Sequence, residues 1–206
     1  MARIVDRDAK RLKILEASAA RLAQSGYEAT SMDDLAIAAG VSKGSLYDYF
    51  QNKEDLFYAV FEWFQQLLMR ASLERLQNGQ TARERILEFA DASVGAFVDH
   101  IALYPVMLEV WAAAAKTGTR DRFSQAMRAL YVAFRAEVGG LIETAQANGE
   151  LRPEIDAAAI SGVLIGAVDG LLLQFWLDPG FDPQAWVRRF LDALFDGIAT
   201  EKQRRP

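Results

Sequence analysis

TSMDDLAIAAGVSKGSLYDYFQNK, residues 30–53, contains the signals for two short helices joined by a tight turn. Thr30 or Ser31 can cap the first helix with its hydroxyl oxygen, and acidic residues that suit a helix N-terminus follow at once. Gly40 ends this helix, since glycine readily takes the left-handed conformation that closes a helix. Ser42 then supplies the cap of a second short helix.

The second helix of this stretch, predicted over Lys43–Tyr49, has little apolar surface. Leu46 and Phe50 are its contacts with the core, and it exposes a lysine, a glycine, a serine and two tyrosines. A helix of this kind contributes little to a core, so we expect it to enter a groove. The pattern is that of a helix-turn-helix, whose second helix contacts bases in the DNA major groove.

The composition excludes several classes of protein. Apolar residues make up 51% of the 206-residue chain, which predicts a globular fold, and the absence of cysteine excludes disulfides and thiolate chemistry. With His100 as the single histidine and no recognisable catalytic constellation, we expect no enzyme, no metal site and no cofactor. The charged N-terminus differs from a signal peptide, and Asp169 interrupts the most apolar run, so we expect a cytoplasmic protein without a membrane span.

The net charge of −5 is unevenly distributed. Residues 1–53 carry eight Lys/Arg and seven Asp/Glu, a net charge of +1, whereas the remaining residues carry fifteen and twenty-one, a net charge of −6. Because local clustering matters more than total charge for the attraction of phosphate, the acidic total does not exclude DNA binding by the N-terminal part.

Apolar periodicity and capping signals predict an all-α chain of about nine helices without strands. The helices are predicted at residues 8–25, 31–39, 43–49, 53–76, 81–100, 104–115, 120–146, 155–177 and 182–200. Breaks are expected at Asn78-Gly79 and Lys116–Thr119, and the charged tail 201–206 is expected to fray.

The first quarter of the chain resembles the TetR family of bacterial transcriptional repressors. The matching residues are Gly26-Tyr27, Thr30, Asp34-Leu35-Ala36, Ala39-Gly40-Val41-Ser42-Lys43-Gly44, Leu46-Tyr47, Tyr49-Phe50 and Lys53-Glu54-Asp55-Leu56. The resemblance implies a homodimer with a three-helix DNA-binding head, residues 1–53. It also implies a larger helical body, residues 54–206, with a ligand pocket and a dimer interface made by the last two helices. Met32 departs slightly from the family pattern, where a β-branched residue is common.

The resemblance assigns DNA contacts to nine residues of the head. It implies phosphate contacts by Thr30, Ser31, Ser42, Tyr47, Tyr49 and Lys53, and base or near-base contacts by Lys43, Gly44 and Ser45. Lysine can donate to guanine, glycine lets the backbone approach closely, and a helix N-terminus attracts phosphate. The two tyrosines have the alternative role of core aromatics. Arg3, Arg7, Lys10 and Arg11 form either a disordered solubilising arm or further DNA contacts.

Bulky apolar side chains of the central helices are the candidates for an effector pocket. They are Trp63, Phe97, Met107, Trp111, Phe123, Met127 and Tyr131. Pocket walls are commonly apolar and aromatic, although ordinary core packing is the alternative for such a set. If Glu109 or Asp169 faces the cavity beside aromatics, a cationic effector is favoured, whereas surface or interface positions favour an uncharged one.

Small residues recur every four positions along the most apolar helix. Glycine inside a helix costs about 1 kcal/mol relative to alanine, so a row of glycines requires a reason such as the close approach of another helix. The final helix has an apolar stripe too wide for a solvent-facing helix. We therefore predict a two-fold, four-helix dimer interface that includes Gly162, Gly166, Gly170, Trp186, Phe190 and Leu194. The alternative is that the glycines pack only within one subunit.

These features predict a homodimeric repressor that a small apolar or aromatic molecule releases from a palindromic DNA operator. Its two heads would contact half-sites roughly 34–36 Å apart. One alternative is a ligand-independent DNA-binding, architectural or protein-interaction factor on the same fold. Another is a helical enzyme that carries a basic helix pair.

Overall fold

A computed structural model describes residues 2–75, 81–115 and 120–199, which form nine α-helices and no named strand. The helices are α1 (Ala2–Ser25), α2 (Met32–Ala38), α3 (Lys43–Tyr47), α4 (Lys53–Arg75), α5 (Ala82–Asp99), α6 (Tyr104–Ala115), α7 (Arg120–Ala147), α8 (Ala157–Leu177) and α9 (Pro183–Ile198). A 3-10 turn over Ile101–Leu103 precedes α6. The all-α prediction with about nine helices is confirmed, whereas the breaks at Asn78-Gly79 and Lys116–Thr119 and the tail 201–206 lie outside the described residues.

Several residues predicted to cap helices do so in the structure. The Ser31 side chain accepts from the Asp34 amide at the start of α2, and Asp182 accepts from the third residue of α9. Before α5, the Thr81 amide donates to Glu84 Oε2 at 2.9 Å, while the Glu84 amide donates to Thr81 Oγ1 at 3.2 Å. These reciprocal bonds satisfy amides that lack partners within the first turn of a helix.

Three helix boundaries differ from the predicted ones. Helix α1 begins at Ala2 rather than residue 8, because its first turns have no apolar stripe to signal a helix. Helix α3 ends at Tyr47, since Asn52 accepts from the Asp55 amide at 2.8 Å and caps α4, which requires a turn between the two helices. Helix α8 begins after Asp156, whose side chain caps it.

The chain divides into two compact units, the first made of residues 1–67 and 100–126. In this unit α1 packs against α2, α6 and the 3-10 turn, and α2 packs against α3. Its fully buried side chains come mainly from α1 and α4, with Leu35 of α2 and Leu46 of α3 completing the core beneath the helix-turn-helix.

The second unit contains residues 68–99 and 127–206. Helix α5 packs against α8 and α9, and α8 packs against α9. An isolated antiparallel bridge joins Leu151 to Ala199, so the turn before α8 is held to the end of α9. The functional division between residues 1–53 and 54–206 stays a prediction.

Candidate DNA-binding surface

The α2–α3 corner has the local geometry that its sequence predicts. Gly40 takes a φ of +65°, a left-handed conformation that side chains with a Cβ rarely adopt. The Ser45 amide then donates to Ser42 Oγ at 3.1 Å, which caps α3. The turn therefore fixes the direction of α3 relative to α2.

Helix α3 is buried on one side only. Leu46 and Phe50 are buried as predicted, whereas Lys43, Gly44 and Tyr47 are exposed, Tyr47 to 46%. Apart from the adjacent residues and the backbone of α3 itself, no described atom lies within 4 Å of the position that a Cβ on Gly44 would take, so this part of α3 is open to a close approach. The exposed side therefore offers a cation, bare backbone and a phenol to a partner.

The exposed lysine of α3 is oriented by an acid of α2. Lys43 Nζ lies 2.8 Å from Asp33 Oδ1, and both side chains are exposed. The hydrogen bond to Asp33 and then its charge raise the pKa of Lys43, so the lysine is cationic at neutral pH. Exposed ion pairs contribute little to stability, which leaves Lys43 available to exchange Asp33 for a base or phosphate acceptor.

Thr30 and Lys53 have partners inside the first unit. Thr30 is buried and its hydroxyl donates to the Gly26 carbonyl at 2.7 Å. Lys53 Nζ donates to the Tyr27 carbonyl at 2.9 Å and lies 4.2 Å above the Tyr27 ring centre. The cation at the start of α4 thus has an intramolecular acceptor, while phosphate contact by either residue stays a prediction.

The turn after α1 is also held by a carboxylate of α6. The Tyr27 amide donates to both carboxylate oxygens of Glu109, at 2.7 and 2.9 Å. Gly26 has a φ of +79°, and a Cβ at that position would lie 3.0 Å from Glu109 Oε1. Glu109 therefore accepts from the Tyr27 amide, while Lys53 donates to the Tyr27 carbonyl. From the sequence, Glu109 was recognised only as a carboxylate within an apolar stretch, and nothing local indicated the Tyr27 amide as its partner.

The predicted effector-pocket residues belong to both units. Trp63, Met107, Trp111 and Phe123 lie in the first unit; Phe97, Met127 and Tyr131 lie in the second. That these seven line one cavity stays a prediction.

In the first unit, Phe123 belongs to a cluster of rings. Its centre lies 5.5 Å from that of Phe57 and 5.4 Å from that of Tyr58, and Arg122 covers the Tyr58 ring at 3.6 Å. Trp111 differs, because its indole N–H is buried without a hydrogen-bond acceptor among the described residues. A buried donor without an acceptor is costly, so Trp111 is the residue of this set that most needs a further polar partner.

In the second unit, Tyr131 donates its hydroxyl to Asp169 Oδ2 at 2.7 Å. Burial raises the pKa of Asp169, and the hydrogen bond from Tyr131 opposes that shift. The Asp169 carboxylate, within the most apolar helix, thus has the neutral Tyr131 phenol as its donor. Desolvation has a larger effect on its pKa than this hydrogen bond.

Much of the predicted dimer surface is open in the single chain. Gly162 is close to Arg135 of α7, but outside the adjacent residues and the backbone of α8 no described atom lies within 4 Å of a Cβ built on Gly166 or Gly170. On α9, Trp186 is 48% and Phe190 47% exposed, and Leu194 is half-buried.

Helix α8 is long and apolar enough to cross a membrane by length and composition, yet only 11% of its most apolar window is buried within the chain. Such a surface requires a cover, which agrees with an interface between subunits. The interface itself stays a prediction.

Comparison with known families accounts for most of the chain. The family model of bacterial regulatory proteins of the tetR family matches residues 14–60, and that of the C-terminal region of BetI-type transcriptional repressors matches residues 82–196. The chain belongs to the TetR family of bacterial transcriptional regulators. This TetR-family regulator therefore binds DNA through its N-terminal helix-turn-helix, as the sequence predicts.

Individual relatives agree with this assignment over nearly the whole chain. The Fatty acid metabolism regulator protein of Bacillus subtilis (strain 168) is 22% identical over 92% of this chain and 95% of its own length. The HTH-type transcriptional repressor KstR2 of Rhodococcus jostii (strain RHA1) is 25% identical over 93% of this chain and 92% of its own.

A solved structure of the regulator FadR from Bacillus subtilis in complex with stearoyl-CoA matches with a TM-score of 0.76. It is 23% identical, and the match covers 91% of this chain and 98% of that one. This likeness shows the shared all-α fold. The named relatives are transcriptional regulators, which is consistent with a protein that is not an enzyme.

Proposed function

We propose that this TetR-family regulator is a homodimeric repressor that leaves a palindromic DNA operator when a small apolar or aromatic molecule binds its body. The observation that carries this proposal is the exposed side of α3, where Lys43, Gly44 and Tyr47 stand free of the core. A short helix that buries Leu46 alone contributes little to stability. Its exposed residues are explained if the helix enters the major groove of DNA.

The dimer is supported by the unoccupied space at Gly166 and Gly170 together with the exposed rings of α9. A two-fold axis presents the same apolar patch on both subunits, so a patch that fits itself closes the assembly. Two heads related by such an axis match a palindrome with half-sites roughly 34–36 Å apart. We assign α8 to this interface rather than to a membrane and therefore place the regulator in the cytoplasm.

The effector class is supported by the apolar residues of the body and by the relatives. FadR of Bacillus subtilis holds stearoyl-CoA, a molecule with a long apolar chain, and a structural neighbour from Bacillus halodurans is named as a fatty acid degradation regulator. The engagement of Glu109 with the Tyr27 amide, and of Asp169 with Tyr131, leaves both carboxylates already bonded. This favours an uncharged apolar group over a cation in contact with the body.

The DNA part is tested with a duplex enriched from a random pool by the wild-type protein. Lys43→Ala and Tyr47→Ala should each weaken its binding without lowering the melting temperature, because both side chains are exposed. Loss of a lysine contact from both heads should lower the slope of log K against log salt by about two. Wild-type affinity and slope in both variants would refute the assignment of α3 as the recognition helix.

The effector part is tested with stearoyl-CoA as the first probe, followed by a panel of fatty acids and uncharged aromatics. A true effector should change tryptophan fluorescence and release the duplex over the same concentration range, and Trp111→Ala should weaken its binding while sparing DNA affinity. Linkage requires the duplex to weaken effector binding by the same factor. If no probe changes DNA affinity, the ligand-independent alternative takes the place of this part of the proposal.

A further inference from the structure

The N-terminal turns of α1 carry a basic face that the family match does not include. Arg7, Lys10 and Arg11 precede residue 14, where the match begins, and all three are exposed. Their spacing of three and four residues places them on one side of a helix. The sequence left open whether these residues are disordered or contact DNA, and the structure continues α1 through them.

This basic face lies directly against α3 and the turn that follows it. Lys10 Nζ donates to Ser45 Oγ at 3.0 Å, and Ser45 belongs to the predicted base-contacting part of α3. Arg7 Nη2 lies 3.5 Å from the Asp48 carbonyl oxygen at the end of α3. The first turns of α1 are thereby held next to the helix that enters the groove.

Two aromatic rings after α3 support the same three cations. Arg7 lies 5.5 Å and Lys10 lies 6.0 Å from the Tyr49 ring centre, while Arg11 lies 5.5 Å from the Phe50 ring centre. Phe50 is buried, so its position is set by the core. Cation–π contacts of this kind orient the long side chains and restrict their rotamers before a partner arrives.

The contacts that hold the basic face leave its charge uncompensated. The partners named above are a hydroxyl, a backbone carbonyl and two rings, none of which has a formal charge. Ion pairing by Lys43 with Asp33, in contrast, partly neutralises the start of α3. The three cations outnumber the acids Asp6 and Asp8 on the same turns of α1, and their contacts with α3 and its turn are uncharged, so they attract phosphate beside the recognition helix.

We propose that Arg7, Lys10 and Arg11 form a second DNA-contacting row, which binds backbone phosphates of the strand that borders the major groove entered by α3. This inference rests on the proposed DNA-binding function and extends it beyond the helix-turn-helix. Because phosphates carry no sequence information, the row adds affinity for operator and random duplex alike, whereas α3 supplies the discrimination between them.

The test replaces all three residues together, as Arg7→Gln, Lys10→Gln and Arg11→Gln. Glutamine keeps most of the apolar stem and a helix propensity close to that of the basic residues, so α1 should remain folded. The matched control is Lys13→Gln, because Lys13 is exposed on the same helix but lies about 110° around the axis from the middle of the basic face. Circular dichroism and the melting temperature report whether each variant is folded.

The readout is the salt dependence of binding to two duplexes, the selected one and a random sequence of equal length. Each phosphate contact contributes about 0.9 to the slope of log K against log salt, so losing three contacts from each of two heads should lower the slope by about five. The fall should be similar for both duplexes, and Lys13→Gln should change the slope little.

The second row is supported if the fall in slope of the triple variant is larger than that of the control by about two or more. A smaller difference overturns it. A loss of affinity confined to the selected duplex also overturns it, since phosphate contacts are independent of sequence.

If the triple variant is unfolded, the single variant Lys10→Gln is measured instead. Its slope should fall by about two, and an unchanged slope would overturn the second row. Failure of the wild type to enrich any duplex would instead overturn the proposed function itself.

Discussion

Replacement of Phe190 by alanine tests the assembly of the regulator through a side chain that is about half exposed within one subunit. Phe190 lies on α9 and is 47% exposed in the single chain, so its truncation should leave the fold intact. In the proposed two-fold dimer the ring is covered by the partner, and each dimer loses two such rings.

The expected effect follows from the area of the ring. A phenylalanine side chain can bury about 200 Å², so the exposed fraction corresponds to about 95 Å². At about 25 cal/mol per Å² this area contributes about 2 kcal/mol on each side of the interface. The two copies together amount to about 4–5 kcal/mol, which raises the dissociation constant of the dimer about a thousandfold.

Sedimentation velocity over a dilution series measures that constant directly. Ile37→Ala is the control, because Ile37 is 78% exposed on α2, a helix that the proposed interface does not use. Its dissociation constant should equal that of the wild type. A Phe190→Ala dimer within about threefold of wild-type strength, or an equal loss in Ile37→Ala, would refute the assignment of α9 to the interface.

Three further substitutions test particular contacts. Glu109→Ala removes both acceptors of the Tyr27 amide and should lower stability by about 1.5–3 kcal/mol in denaturant unfolding, whereas Glu109→Gln, which keeps an acceptor, should lose less. The raised pKa of Asp169 means that its ionised form opposes folding, so stability falls as pH rises above the ordinary value of 3.8. Asp169→Asn should therefore melt higher than wild type at pH 7, with a difference that shrinks on acidification; a lower melting point at both pH values would contradict this. Gly166→Leu meets open space within the chain and should fold, but sediment as a monomer; a stable dimer would place the glycines outside the interface.

Local signals in the sequence were sufficient for most of the fold. Ser42 and Asp182 cap their helices because a capping oxygen and the amide it accepts from lie three residues apart. Leu46 and Phe50 were correctly assigned to the core by their spacing. Where the local signal was weak, at the start of α1, the predicted boundary was wrong, since the side chains of residues 6–13 are exposed and form no apolar stripe.

Contacts between distant residues were the part that local reasoning missed. The charge of Lys53 at the start of α4 suggested a phosphate, because a cation does not stabilise a helix N-terminus. In the structure the Lys53 ammonium donates to the Tyr27 carbonyl and lies over the Tyr27 ring, while its phosphate contact stays a prediction. No periodicity within either segment indicates that the two will meet, so the intramolecular partner could not be predicted.

The amino-acid order alone predicted an all-α fold with a helix-turn-helix, since caps, turns and apolar periods act over a few residues. The joining of Glu109 to Tyr27, and of Lys10 to Ser45, depended on the tertiary structure. The residues of these pairs lie 82 and 35 positions apart, and they meet only because packing of the helices between them brings their backbones together. Hydrogen bonds of this range are a result of the packed core, so they become visible only once the core is known.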